Sequence, residues 1–339
     1  MKGTKENPFE NIFEAIESID PENILLSCYS HYQSTGKILH SRPSDSFEVM
    51  ELPDGTLGAF QLDMTCTYYR GEPADYPSCS PSLHRLPNEK AKVIARLRAT
   101  EFELDMQPFN QIIFSKMDSC HIDYTALSQH YGFATDYIDI TSRLEVAAFF
   151  ATQKYIGKDG YIPQPEGIGR IRIIPYILNP FQPLEASPFK LIGLQPFMRP
   201  GRQAAFAIKL NQNKTLDESA SVFFQQDKNC GHIINQFFKN TANGRALDSF
   251  WIFPKEAISD AAERIKTSKA ISKKAIETFC RKTEYEVTEI EQLLTEAEIK
   301  IAPTPIFTLS KREKQKTINY YKSHPYGDVK LYSRLLKIE

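Results

Sequence analysis

Gln129-His130-Tyr131-Gly132-Phe133-Ala134-Thr135-Asp136-Tyr137-Ile138-Asp139-Ile140-Thr141, followed at once by Ser142-Arg143-Leu144-Glu145, is the stretch on which the reading of the fold turns. Asp123 can cap a helix over 124–131, and Gly132 can close that helix in a left-handed turn. Asp139 and Thr141 lie on a short segment after the turn. Ser142-x-x-Glu145 then has the form of a capping box, opening a helix that runs to about Lys154. Ala147, Ala148 and Ala151 in that helix permit a close approach to whatever it packs on.

Upstream, Asn88 can cap a helix to Met106 with Ile94, Leu97, Glu101 and Leu104 in one stripe, and Pro108 is expected to end it. Before it, Gly71 to Pro87 holds four prolines and reads as an irregular loop. Thr65 to Arg70 is β-branched and aromatic and reads as a strand opening into that loop. Residues 46–52 and 57–62 flank Pro53-Asp54-Gly55, a turn signal that predicts a hairpin. An amphipathic helix is expected over 7–18. Downstream, 169–174, 203–210 and 249–253 read as strands and 231–239 as a helix. From Pro254, helices are expected to about Ser268, over 272–280 and over 288–300, before a basic run at 311–316.

Strands therefore crowd the first two thirds and helices the last. That is the pattern of an α+β protein with mixed or antiparallel sheets and flanking helices, not of a regular βαβ alternation. The expected division is an N-terminal helix and hairpin over 1–64, an α+β domain over 65–253, and a helical C-terminal region with a basic tail over 254–339.

The 339 residues are 41% hydrophobic, enough to bury a sizeable core. With 41 basic and 42 acidic side chains the net charge is −1, so no global field favours nucleic acid or anionic membrane. No apolar run is long enough to span a bilayer and Met1 to Ile16 lacks a signal-peptide core, so a cytoplasmic protein is expected. The six cysteines are widely spaced with no C-x-x-C pair and read as buried or free thiols. His121 and His130 lie nine apart across a loop, which is no metal-ligand spacing. Rossmann and P-loop glycine motifs are absent.

Two groups of residues can carry chemistry. In Tyr69-Arg70-Gly71, the guanidinium at a strand end can hold a phosphate or ribose hydroxyl, and the glycine can admit a ligand to the backbone. The alternative is an Arg70 paired with Glu72 or Asp75. In the quoted stretch, Gln129, His130 and Tyr131 can converge on a cleft with Asp139 and Thr141. His130 would then be an acid, a base or a donor. Equally, His130 can be a buried side chain bonded to Asp139 that holds the turn.

These motifs resemble the FRG-domain family, in order and over about 85 residues. Tyr69-Arg70-Gly71 matches the family's aromatic-Arg-Gly triplet, and Pro81-Ser82-Leu83-His84-Arg85 its Pro-Ser-Leu-x-Arg element. Glu101 fits the family's next element, a helix with a Glu. Gln129 to Thr141, with Ala147-Ala148-Phe149-Phe150-Ala151 after it, matches the long Q-H-Y-G run. Arg202-Gln203-Ala204-Ala205-Phe206 is similar to a later strand. Asp136 stands where the family has Arg, Ala134 where it has Pro and Ile140 where it has Trp.

The resemblance implies an association with bacterial defence and toxin-like genes and a motif layout like that of ADP-ribosyltransferases. NAD would be the substrate. Arg70 would hold its phosphates or ribose, Tyr131 or Tyr137 would stack on nicotinamide, and Gln203 would take the position of the late carboxylate. Glu101, Glu103 or Asp139 would have to supply the charge that Gln203 lacks. On this basis the catalytic candidates are Arg70, His130, Asp139 and Gln203, and the binding candidates Tyr69, Arg70, Gly71, Arg85, Gln129, Tyr131 and Thr141. A rival expectation is a non-catalytic sensor whose C-terminal helices meet a partner protein.

Overall fold

The computed structural model describes residues 2–39, 46–51, 57–61, 65–113, 123–157, 160–177, 189–192, 197–242, 245–323 and 330–333. The elements before the central sheet are α1 (Ile12–Ile19), α2 (Ile24–Thr35), β1 (Ser46–Glu51) and β2 (Leu57–Gln61). Strand β3 (Thr65–Glu72) leads to α3 (Glu89–Ile113), α4 (Tyr124–His130), β4 (Tyr137–Thr141) and α5 (Leu144–Thr152). Then come β5 (Gln153–Tyr155), β6 (Tyr161–Pro163), β7 (Ile168–Ile177), β8 (Phe189–Leu191), α6 (Met198–Arg202), β9 (Ala205–Lys209) and β10 (Ala220–Gln225). Helix α7 (Lys228–Phe237), β11 (Lys239–Ala242) and β12 (Arg245–Phe250) precede α8 (Ala257–Thr267), β13 (Ala270–Ser272), α9 (Lys273–Cys280) and α10 (Val287–Glu296). The described chain closes with β14 (Lys300–Ala302), α11 (Lys311–Ser323) and β15 (Lys330–Ser333).

The fold is α+β, with helices and mixed sheets. Its centre is a six-stranded sheet in the order β10-β7-β3-β4-β9-β8, antiparallel at every pairing. Strands β3 and β7 are paired along eight residues, Thr65↔Ile177 to Glu72↔Arg170. Strands β3 and β4 meet only at Tyr69↔Thr141. Beyond that pair they share no further ladder pair among the described residues, which leaves an opening in the hydrogen bonding of the sheet.

One face of the sheet is covered by helices. Beneath β3, β7 and β10, helices α1, α2, α5 and α7 share a core around Phe149, Ile171 and Phe224. Beneath β4 and β9, helices α3, α4 and α8 share another with Phe102, Phe109, Tyr137 and Ile258. A third core groups Val93 and Leu97 of α3 with Ile276, Phe279, Ile290 and Leu294 of α9 and α10. The opposite face carries Tyr68, Ile138, Ile140, Phe206 and Ile208 and is covered by Cys79 and Leu216 from two connecting segments.

That second face also holds a buried ion cluster. Alternation along paired strands puts Arg70 and Glu72 of β3 beside Arg172 and Arg170 of β7. The Glu72 carboxylate, 3% exposed, takes Arg170 Nη2 at 2.6 Å and Arg172 Nε at 3.1 Å. Arg172 is fully buried and also donates to the Leu216 carbonyl at 2.6 Å. Burial alone would raise the Glu72 pKa, but Arg70, Arg172 and Arg170 outweigh it and hold the carboxyl below its ordinary value.

Several local expectations need correction. Helix α3 does not stop at Pro108; it runs through it to Ile113. The burial of Met106 and Phe109 in the helical core offsets the cost of roughly 3 kcal/mol for an interior proline. Ser142 caps nothing: α5 begins at Leu144 after Arg143 with no side-chain cap, and Glu145 lies 3.4 Å from the Asn23 amide instead. The N-terminal helix starts at Ile12, capped by Asn11, and the strand expected over 249–253 lies at 245–250. Asn88 and Asp123 do cap, accepting from Ala91 N and Ala126 N at 2.9 Å each. Gly132 has the left-handed φ of +83°. The strands of the expected hairpin pair antiparallel, Phe47↔Gln61 to Glu51↔Leu57. Its turn at 53–56, like His121, lies outside the described residues.

Candidate functional site

Gly71 is the first determinant of the site. A Cβ there would fall on the Ala147 carbonyl oxygen and 2.6 Å from Ala151 N. The glycine thus admits α5 to the backbone of β3, and the space expected for a ligand is filled by that helix. Ala147 and Ala151 are the small residues of the contact, as their spacing predicts. Tyr69 projects to the same helical face and packs on its core. Arg70, one residue on, points to the other face.

At the opening between β3 and β4, Arg70 reaches across. Its Nη1 donates to the Asp139 carbonyl at 2.7 Å, and its Nε lies 3.6 Å from Glu72. The pairing with Glu72 is the alternative raised from the sequence, and it coexists with a side chain that remains 31% exposed. Asp139 is 35% exposed and stands beside His130, Nδ1 to Oδ1 3.7 Å, and Gln129, Nε2 to Oδ2 3.4 Å. Gln129, His130 and the Asp139 carboxylate therefore cluster on the helical face, and Arg70 meets Asp139 from the other face through its backbone carbonyl.

The electrostatics of the cluster fix its protonation. Burial alone would raise the Asp139 pKa, yet His130, Arg70 and Gln129 together hold it below the usual carboxylate range. Burial pushes His130 down, and the facing Asp139 offsets only part of this. Both directions favour an anionic Asp139 beside a neutral His130. His130 Nε2 and Asp139 Oδ1 are buried atoms without a hydrogen-bond partner.

The Pro81-Ser82-Leu83 element explains how the cluster is held. Gln129 Oε1 accepts from Thr135 Oγ1 at 2.7 Å and from Ser82 Oγ at 3.2 Å. Leu83 N donates to the Thr135 carbonyl at 3.0 Å. These bonds pin the helix end to the loop after β3, so two sequence motifs form one mount for Asp139. Arg85, at the end of that element, is exposed.

The other candidates are placed elsewhere. Tyr131 is 2% exposed; its hydroxyl donates to Glu256 at 2.7 Å and its ring lies 5.6 Å from Phe102. Tyr137 is also buried and donates to Asp123. Thr141 Oγ1 donates to the Gln203 carbonyl, and Gln203, 4% exposed, gives its amide to the Ile252 carbonyl. Glu101 is 1% exposed and bound by Ser272 N, Ser272 Oγ and Ile306 N. Glu103 is held by Lys282. Of these three carboxylates, Asp139 is the one beside Arg70. Asp136 pairs with Lys209 at 3.5 Å.

Arg199 is a residue that sequence reading missed. From α6 its guanidinium lies 5.2 Å from the Tyr131 ring and 4.9 Å from the Phe253 ring, and its charge acts on His130. Half-buried Tyr161 and Phe253 stack at 4.8 Å nearby, and Asp139 and Arg199 both act on the Tyr161 phenol, which burial pushes up to about 12. A signal was available only in Phe197-Met-Arg-Pro-Gly-Arg202, where a turn carries two arginines. Glu256, also missed, fixes this turn by accepting from Met198 N and Arg199 N at 3.0 and 3.3 Å.

Among the described residues no group of His, Cys, Asp and Glu could hold a metal ion, and no helix is long and apolar enough to cross a membrane. The family model of the FRG domain matches residues 65–160, from β3 through β5. No curated protein and no solved structure matches the chain.

Proposed function

Taking residues 65–160 as an FRG domain, we propose that the opening between β3 and β4 binds a nucleotide and that NAD is its substrate. One observation carries this reading: Arg70 bonds the Asp139 carbonyl from one face of the sheet, and the partly exposed Asp139 carboxylate stands beside buried His130 on the other. Arg70 supplies positive charge for a diphosphate or ribose. Asp139, kept anionic, supplies negative charge for an oxocarbenium centre as the bond to nicotinamide lengthens. Neutral His130 can take the proton of the attacking water or acceptor. The aromatic pair Tyr161 and Phe253, flanked by Arg199, offers a stacking surface on the same side of the sheet as Asp139. Cleavage by water would release nicotinamide and ADP-ribose; transfer to an acceptor would be ADP-ribosylation. A role in defence or as a toxin belongs to the same proposal, through the family resemblance.

The test is thermal denaturation with and without NAD, with nicotinamide release followed in parallel. A ligand at 100 times its Kd stabilises by about 2.7 kcal/mol. Arg70→Ala should fold, because Glu72 keeps the two closer arginines, and should lose the response to NAD. An Arg70→Ala protein that responds and turns over like the wild type sinks the assignment.

A second reading, a non-catalytic sensor, is favoured by the structural bonding of Gln203 and Glu101. It predicts that NAD neither shifts the melting curve nor is consumed.

A further inference from the structure

A cavity of about 430 Å³ lies between α3 and the turn after α4, lined by Leu86, Ile94, Arg98, Phe133, Ala134 and Lys266 among others. That volume is in the range of small-ligand sites, and its walls are apolar apart from two cationic heads. None of the described lining residues is a carboxylate.

The two cations are engaged to different degrees. Arg98 gives one Nη2 bond, 3.3 Å, to the Ser268 carbonyl, and its Nε is buried without a partner. A guanidinium has five N–H donors, so most of its capacity is unspent. Burial lowers the pKa of Arg98, with no neighbouring acid acting in the other direction. Lys266 Nζ donates to the Tyr131 carbonyl at 2.9 Å and pairs with Glu263 at 2.6 Å, although Glu263 is itself 65% exposed. The ammonium also stands 5.9 Å from the centre of the Phe133 ring. Gly132 keeps this corner open: its φ is +83°, and a Cβ there would come within 3.0 Å of Lys266 Nζ.

We infer that this cavity is a second ligand site, distinct from the opening at Arg70, and that it takes a small aromatic phosphate monoester. Two cationic side chains in one lining match a dianion, and phosphate oxygens accept from both a guanidinium fork and an ammonium. The space beyond them, bounded by Leu86, Ile94 and Phe133, suits a flat apolar body. A carboxylate or a bare phosphate would use only half of what the cavity offers.

Isothermal titration of the full chain tests this with phenyl phosphate, benzoate, phenol and inorganic phosphate. The expected result is saturable binding of phenyl phosphate, at least about tenfold tighter than that of benzoate or inorganic phosphate, and weakened by salt. Arg98→Gln should weaken it by about tenfold or more, the loss expected for one charge-assisted bond. Ala95 also lines the cavity, and Ala95→Phe, which fills it and leaves both cations, should abolish binding. Circular dichroism of each variant separates lost binding from lost folding. The background Arg70→Ala should bind phenyl phosphate as the wild type does, so failure here and failure of the NAD proposal are separable. Absence of phenyl phosphate binding, or binding that survives both Arg98→Gln and Ala95→Phe in folded protein, overturns the assignment.

Discussion

Gly71 shows how one side chain of zero size sets a packing distance. Replacing it by Ala would place a methyl on the Ala147 carbonyl, backbone that has nowhere to go while α5 stays on β3. Gly71→Ala should therefore cost more than about 3 kcal/mol, at the severe end of single substitutions, and chemical denaturation should read a large loss or no folded protein. Glu72 is a second such point. Glu72→Gln leaves the buried guanidinium groups of Arg170 and Arg172 without their carboxylate and should destabilise by about 3–5 kcal/mol. The same residue predicts a pH dependence. Its folded pKa lies below its unfolded value of about 4.3, so its contribution is complete above that pH and is lost as the pH falls through the folded value. Urea midpoints of wild type and Glu72→Gln should converge as the pH falls below about 4.3.

At the scale of elements, Glu101 joins α3 to the segments beyond α8. Its carboxylate takes the backbone N–H and hydroxyl of Ser272, which caps α9, and the N–H of Ile306. Glu101→Ala should loosen the region from β13 onward, and limited proteolysis should cut there several-fold faster than in the wild type while β3 to β9 stays protected. Whether an element was legible depends on where its signal resides. Side-chain caps at Asn88 and Asp123 and the two runs flanking Pro53-Asp54-Gly55 are written locally, and the caps and the strand pairing hold. Pro108 and Ser142 misled because burial of Met106 and Phe109 overrides a local breaker, and because Thr141 Oγ1, not Ser142, accepts from Arg143 N. Helix α2 was missed although Leu25, Cys28, Tyr29 and Tyr32 stand at helical spacing and pack in one core; Ser27, Ser30, His31 and Gln33 between them keep its polarity high. The site was half legible. Gln129, His130 and Asp139 stood in readable motifs and do meet, while Arg70 reaches only the Asp139 carbonyl, from the other face of the sheet. Arg199 and Glu256 join them only through the tertiary fold, which no spacing records.

Over the whole molecule, the helices after Phe253 share cores with α3: Ile258, Ala262 and Ile265 lie with Phe102 and Met106, and Ile276 and Phe279 with Val93 and Leu97. The central sheet, by contrast, is continuous in name more than in bonding. Strands β10, β7 and β3 form one ribbon and β4, β9 and β8 another, joined at a single residue pair, Tyr69 with Thr141.

Two firmly laced panels meet at one stitch, with α5 lying along the seam as the spine of a book lies along its pages. Arg70 spans that seam to the Asp139 carbonyl, so its bond is the latch a bound anion would compete for. The amide hydrogen of Asp139, which faces the seam, should exchange with solvent faster than those of Ile140, which faces β9, and of β7 opposite β3, and hydrogen exchange followed by NMR reads the contrast directly.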